Sequence, residues 1–417
     1  MHMATMNPDI RKAWLDYYQS AGYTKITSAP LVHPAFPISF NMSAGLVQVA
    51  PIVMQKEKVA PQKYCLVQKC VRYFDIKNVG DSIHLSFFEM PGAFEINNFE
   101  EVAVIEKLRA FLTENLEIPN ERLWITSFNQ DTYQSVTVTQ EEKTKEYLTK
   151  QFNGRLVYGD MQSNFWIHTA DDFTHHASLC GPRIEFFYDL CPDNANSARN
   201  PLKNPECFLE IGGIIFIKYF IEPNNPTLQH LPNIASESVV GMERVLSVTE
   251  KHPNSVFQTS LFTGLREKLT GLNSSIAEND VQILLDHIKA LAFIFADEVI
   301  EPNSSGGRGK IVRTLIRTIL MILYVNSLEP KLFFRTFIGE IIALYEDFYP
   351  EIRIAESNLY PTLDEQIDIY NETLVKGKRS IEVYKRNRQI SEVSETDLDF
   401  FKQNYGIDPR VYPILMR

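Results

Sequence analysis

No apolar run in this 417-residue sequence reaches the ~18 residues that a membrane helix needs, and the opening MHMATMNPDIRK has no apolar signal core. Neither a membrane span nor an export signal is expected. Cysteines are few: Cys65, Cys70, Cys180, Cys191 and Cys207 make an odd set of 5, with no CxxC pair among them. That pattern argues against a disulfide framework and a structural zinc site, and it fits a reducing, cytoplasmic setting. Internal repeats and low-complexity tracts are also missing. Positive charge is in short supply, since 41 Lys and Arg face 52 Asp and Glu, giving a net charge of -11 and a pI near 5.4. Nucleic-acid affinity comes mainly from cations that neutralise phosphates, so the overall field argues against such a partner and leaves only a local basic patch. What the chain does have is apolar residues, 44% of the total, enough at this length for two or more buried cores.

Asn7 to Ala21 carries a capping Asn, a Pro and helical apolar spacing, and predicts an amphipathic helix ending before Gly22. Ile26 to Met54 reads as short β-like runs broken by Pro and Gly. Phe99 to Leu116 is helical by period, while RLWITSF, RLVYG, NFWIHT and the long run CFLEIGGIIFIKYF read as strands. Ala170 to Lys203, rich in Asp, Asn, Pro and His, predicts loops around a site. SVVGMERVLSVTEK reads as a strand entering a helix. Beyond about Lys251 the texture changes: VQILLDHIKALAFIFADEVI, KIVRTLIRTILMILYVNSL and KLFFRTFIGEIIALYEDFY have helical period and length. The fold class is therefore α+β, an antiparallel sheet flanked by helices over residues 1–250, followed by an all-helical domain over 251–417. The basic cluster Lys376 to Arg388 in that second domain reads either as a solvated helix face or as an RNA-facing patch.

Chemistry concentrates in Gln68 to Phe94, QKCVRYFDIKNVGDSIHLSFFEMPGAF. Two apolar, aromatic-rich runs flank turn signals at Asn78 and Gly80, the pattern of a β-hairpin. Arg72 falls on the first run, and His84 and Phe88 on the second. A guanidinium forks onto phosphate oxygens and stacks on flat rings, so the set suits a nucleoside triphosphate; a surface Arg beside a core Phe is the plainer alternative. Asp171, Asp172, His175 and His176 in DDFTHHASLCGP are either metal ligands or exposed polar loop residues.

With its neighbours this hairpin resembles motif 2 of the class II aminoacyl-tRNA synthetases, within which the chain looks most like the alanyl enzymes. Supporting words follow in family order: LVHPAFPISFNMSAGLVQ, NFW at Asn164, CGPRIEFFYD at Cys180, EIGGIIFIKYF at Glu210, GMER at Gly241 and DHIKALAFIFAD at Asp286. The resemblance implies ATP and Mg2+ as cofactors and an aminoacyl adenylate as product. It places Arg72 and His84 on the phosphates, Phe88 against adenine, and Arg244 on the other face of adenine or the distal phosphates, with Glu210 toward magnesium. Trp166, Gly213, Glu237 and Val239 fall where the family lines its amino-acid pocket, although on base rates alone Trp166 is a core residue. The helical domain corresponds to the region that reads the tRNA acceptor stem, with Asn303 and Gln403 at its two base-pair-reading positions.

Departures from the family pattern bear on substrate and acceptor. The motif 2 loop is shorter, Glu237 replaces an Asp, Val239 replaces a Gly, and Gly212-Gly213 replaces Trp-Asn. Gln403 stands where the family has an Asp, and the editing and C-terminal domains have no counterpart in the sequence. The expected activity is ATP-dependent amino-acid activation with transfer to a small molecule, peptide or carrier. The alternatives are a shortened alanyl-tRNA synthetase that charges tRNA and a catalytically silent regulator.

Overall fold

The computed structural model describes residues 9–34, 40–168, 178–194, 198–222, 224–302 and 307–416. Asp171, Asp172, His175, His176 and Asn303 lie outside that set. The chain divides into two compact units: Met1–Pro37, Asn41–Arg72 and Phe88–Thr259 in one, and Ile38–Phe40, Tyr73–Phe87 and Ser260–Arg417 in the other. Among the described residues no helix is long and apolar enough to cross a membrane.

The first unit carries α1 (Ile10–Ser20), β1 (Thr24–Lys25), β2 (Asn41–Met42), α2 (Leu46–Val53), β3 (Gln62–Arg72), β4 (Phe87–Ile96, of which Phe87 is grouped with the second unit), α3 (Glu101–Ala110), β5 (Leu123–Phe128), β6 (Gln130–Tyr133) and β7 (Val136–Thr139). It continues through α4 (Glu142–Gln151), β8 (Leu156–Gly159), β9 (Phe165–Ile167), β10 (Ser178–Asp189), β11 (Phe208–Glu222), β12 (Asn225–Val240) and α5 (Met242–Thr249). Among the described residues 10 strands form one sheet in the order β1-β3-β4-β12-β11-β10-β5-β8, with β2 on β3 and β9 on β10; β6 and β7 make a separate hairpin. The centre is antiparallel, as the sequence predicts, but the edge pairs β1 with β3 and β5 with β8 are parallel. Parallel pairing needs a long crossover, and the β6–β7 hairpin with α4 supplies one between β5 and β8.

Three expectations change. The cap of α1 is Asp9, whose carboxylate accepts the Arg11 N–H at 3.1 Å. Ile26 to Met54 is not all β-like: Leu46–Val53 is helical and presents Leu46, Val49 and Val53 to a core with Leu66, Phe94, Ile96, Ile217 and Ala235. The supposed loop region contains β10, buried between β11 and β5.

The second unit packs α6 (Ser260–Leu272), α7 (Glu278–Asp297), α8 (Gly307–Val325), α9 (Pro330–Tyr345), α10 (Ala355–Arg388), α11 (Glu395–Tyr405) and α12 (Tyr412–Leu415). Helix α7 is buried over most of its length, and Tyr73–Phe87 runs along it. Asn279 Nδ2 donates to Gly80 O at 3.1 Å, the Ser82 N–H to Gln282 Oε1 at 3.0 Å and the Ser86 N–H to Asp286 Oδ1 at 2.8 Å; Phe87 stacks on Phe293 with centroids 4.0 Å apart. Gly80, at φ +110°, is a genuine glycine position because L side chains rarely adopt that backbone conformation. His84 was expected on the second strand. It falls short of β4, and its ring pairs with Asp81 in this loop.

Candidate active site

Directly opposed residues of antiparallel strands share a sheet face. The register therefore sets two rows on one face of the first unit: Glu185–Gly213–Val239–Gly92, and beside it Arg183–Ile215–Glu237–Phe94. Phe88 belongs to the same face as Gly92 and Phe94 by alternation along β4. At the end of β3 the Arg72 guanidinium lies over the Phe88 ring, 4.7 Å from its centroid. Its Nη2 donates to Ser43 O at 3.3 Å, while its Nε is buried with no hydrogen-bond partner. A buried N–H is rarely left unpaired in a native protein, which makes this guanidinium a candidate to receive an acceptor.

Like Asn164 Oδ1 and Arg183 Nε, Glu237 is another unsatisfied group. Its side chain is 2% exposed, Oε1 has no partner, and burial pushes its carboxyl up to about 8. In the other row Glu185 is also pushed up by burial, to about 7, although Arg183 Nη2 stands 2.8 Å from its Oε1. Thr126 Oγ1 donates to Glu185 Oε2 at 2.9 Å, and Asn164 Nδ2 donates to Thr126 Oγ1 at 2.8 Å. Glu185 and Arg183 both lie in the word CGPRIEFFYD, to which the sequence alone assigns no role beyond its family resemblance. An Arg and a Glu two apart, hence on one face of a strand with apolar neighbours, were the available signal, since a Glu is seldom buried unpaired.

At the junction of β12 and α5 the Gly241 N–H donates to Ile211 O at 3.0 Å, which sets the start of α5 against β11. One turn on, Arg244 Nη1 donates to Glu210 O at 3.1 Å and lies 3.6 Å from Glu210 Oε2. The Glu210 side chain is 46% exposed and paired with Arg244, so it has an open side to solvent, and magnesium is commonly held by one or two carboxylates with phosphate oxygens in its other positions. Among the described residues there is no cluster of three acidic, His or Cys side chains to hold a metal by themselves. Trp166 pairs with Gly181 across β9 and β10 and packs against the core that includes Leu66, Phe94 and Ile217. Gln403 is exposed on α11.

The glycine pair is tighter than its sequence suggests. A Cβ on Gly212 would meet Val239 O at 2.6 Å, and one on Gly213 would meet Ile184 O at 3.0 Å. Both obstacles are backbone. Gly212→Ala should therefore destabilise the chain by about 1–3 kcal/mol, as overpacking does, seen as a lower denaturant midpoint at unchanged slope. A midpoint equal to that of the wild type would show that the strands part freely here.

One arginine thus stands at the end of β3 over an aromatic ring and another on the helix that leaves β12, on a centrally antiparallel sheet flanked by helices, the architecture of the class II synthetases. The chain belongs to that family: the profile of the tRNA synthetases class II (A) matches residues 9–412. Its similarity is to the alanyl branch. It is 28% identical over 408 residues to alanine–tRNA ligase of Dehalococcoides mccartyi (strain ATCC BAA-2266 / KCTC 15142 / 195), covering 95% of this chain and 44% of that protein. It is 28% identical over 385 residues to alanine–tRNA ligase of Hydrogenovibrio crunogenus, covering 90% of this chain and 42% of that protein. The chain thus spans less than half the length of these curated relatives. Among solved structures, apo histidyl-tRNA synthetase of S. aureus aligns at a TM-score of 0.34 and 11% identity over 63% of this chain and 74% of that one, too loose a likeness to add to the assignment.

Proposed function

We propose that this chain activates an amino acid with ATP and hands it to a nucleophile other than tRNA. The observation that carries the activation step is the Arg72 guanidinium, stacked on Phe88 with a buried, unpaired Nε. In the proposed reaction a substrate carboxylate oxygen bonds to the α-phosphorus, the bond from that phosphorus to the bridging oxygen breaks, and pyrophosphate leaves. Arg72 holds the α-phosphate and the incoming carboxylate. Phe88 gives adenine a flat surface and Arg244 covers the opposite side, so that rate comes from placement and charge stabilisation with no covalent enzyme intermediate. Magnesium held through Glu210 would neutralise charge on the departing pyrophosphate. Glu237, once ionised, pairs with the substrate ammonium, and Trp166, Gly213 and Val239 bound the pocket. Activation is assigned to residues 1–250 and acceptor contact to 251–417.

The net charge of -11, the shorter loop between Arg72 and Phe88, and Gln403 in place of an Asp support the non-tRNA acceptor. Transfer to an alanine-accepting tRNA is the second reading, favoured by relatives of that named activity aligned over 95% of this chain. Survival of Arg72, Phe88 and Arg244 counts against a silent regulator. The acceptor is tested by incubating protein, ATP, the activating amino acid and either a tRNA transcript or small amines, then measuring charged RNA and amide product. Amide without charged RNA is expected. Robust charging that falls when the wobble pair of the transcript becomes a Watson–Crick pair would establish the second reading.

A further inference from the structure

We infer that Arg11, Glu89 and Glu243 form a positioning network that fixes Phe88 and Arg244 relative to each other, an inference that rests on the ATP-site reading above. Glu89 is fully buried, and Glu243 is 1% exposed. Arg11, reaching from α1, forks onto Glu89: Nε donates to Oε1 at 2.7 Å and Nη2 to Oε2 at 2.5 Å. Glu243 Oε2 accepts the backbone N–H of Glu89 at 3.1 Å. Glu89 follows Phe88 in the chain and Glu243 precedes Arg244, so this one hydrogen bond ties together the two backbone segments that carry the ring and the second guanidinium.

The bond falls beyond the end of the β4–β12 ladder. β4 pairs with β12 from Gly92 to Ile96, and at Glu89, ahead of that ladder, a side-chain carboxylate takes the N–H. Alternation along β4 turns Glu89 to the face opposite Phe88, the face on which Trp14 of α1 donates to Gly92 O at 3.1 Å. The network therefore stands behind the nucleotide site and touches no substrate. Burying two carboxylates side by side is expensive, and apolar packing would have held three elements together at no such penalty. What charged partners add is direction: a bidentate fork and a carboxylate that accepts a backbone N–H fix both distance and angle. An aromatic clamp and a cation that must meet the two faces of one base need that.

The test separates positioning from stability and from the ATP-site reading. ATP affinity of the wild type is measured by equilibrium dialysis, and the KM values for ATP and for the amino acid by pyrophosphate exchange. Glu243→Ala should raise the ATP KM at least about tenfold and leave the amino-acid KM within about twofold, while Glu243→Gln, which keeps an acceptor oxygen, should return the ATP KM to within about threefold of the wild type. Arg11→Lys, which keeps the charge but loses the fork, should raise the ATP KM about threefold or more; this variant carries the test if Glu243→Ala does not fold. An ATP KM unchanged in Glu243→Ala or Arg11→Lys, or a parallel rise in both KM values, would overturn the network while leaving the ATP site in place. A wild type that binds no ATP would overturn both.

Discussion

Arg72→Ala should reduce amino-acid-dependent ATP–pyrophosphate exchange by at least about a hundredfold, corresponding to about 3 kcal/mol of lost transition-state stabilisation. The expectation follows from where the guanidinium sits. It is held from below by the Phe88 ring and from one side by Ser43 O, and it still has an unpaired buried Nε. Arg72→Lys should recover little of the loss, because an ammonium can neither fork onto two oxygens nor stack on the ring. Arg244→Ala should lose a comparable amount if it covers the other side of the nucleotide. Since Arg244 is already held by Glu210, Glu210→Ala should have a smaller effect, expressed mainly in the magnesium dependence. Near-normal exchange in both arginine variants would mean that the nucleotide binds elsewhere.

Glu237→Gln should lower kcat/KM for the amino acid by at least about thirtyfold, the low end of what truncating one partner of a buried charge pair costs. The pH dependence carries the sharper signature. Burial holds the free carboxyl up to about 8, against an ordinary value of 4.5, so at neutral pH the unliganded protein keeps that proton. An ammonium is held well only by the ionised form, and kcat/KM should therefore climb from pH 6 toward 8 in the wild type and lose this component in Glu237→Gln. Stability moves the other way. Between the ordinary value and about 8 the folded chain binds the proton more tightly than the unfolded chain, so the contribution of this group to stability falls as pH rises through that window. Glu237→Gln should flatten the decline in denaturant midpoint over the same range. A variant whose midpoint and kcat/KM follow the wild-type pH curves would remove Glu237 from the pocket.

Much of this was legible from letters alone where period and length agree. The runs that became α7, α8 and α9 are too long and too regularly apolar to be strands, and β11 carries a long run without a charge over 211–217. The β12–α5 junction announced itself through Gly241. The failures have physical causes. Leu46–Val53 contains Pro51 and is too short for its apolar run to distinguish period 2 from period 3.6; contact with Leu66 and Phe94 decides it. β10 is flanked by loop-like composition, and it is a strand because β11 and β5 pair with it on both sides. Of the candidate site, Arg72, Phe88, Arg244 and Glu237 were nameable through the family resemblance of the words that hold them, and their roles are part of the proposal. The obstacle facing a side chain at Gly212 could not, since it is set by Val239 O on a neighbouring strand. Nor could the grouping of Tyr73–Phe87 with α7, which depends on Asn279, Gln282 and Asp286, about 200 residues away in the sequence.

The central claim is that this chain makes an aminoacyl adenylate unaided by tRNA. The direct measurement is ATP–pyrophosphate exchange by the purified protein, without RNA, across the proteinogenic amino acids, β-alanine and small diamines. At least one amino acid is expected to stimulate exchange well above the ATP-only rate, and Arg72→Ala to abolish the stimulation. A protein that binds ATP yet exchanges no faster with any amino acid, or an Arg72→Ala variant that exchanges as the wild type does, would contradict that claim.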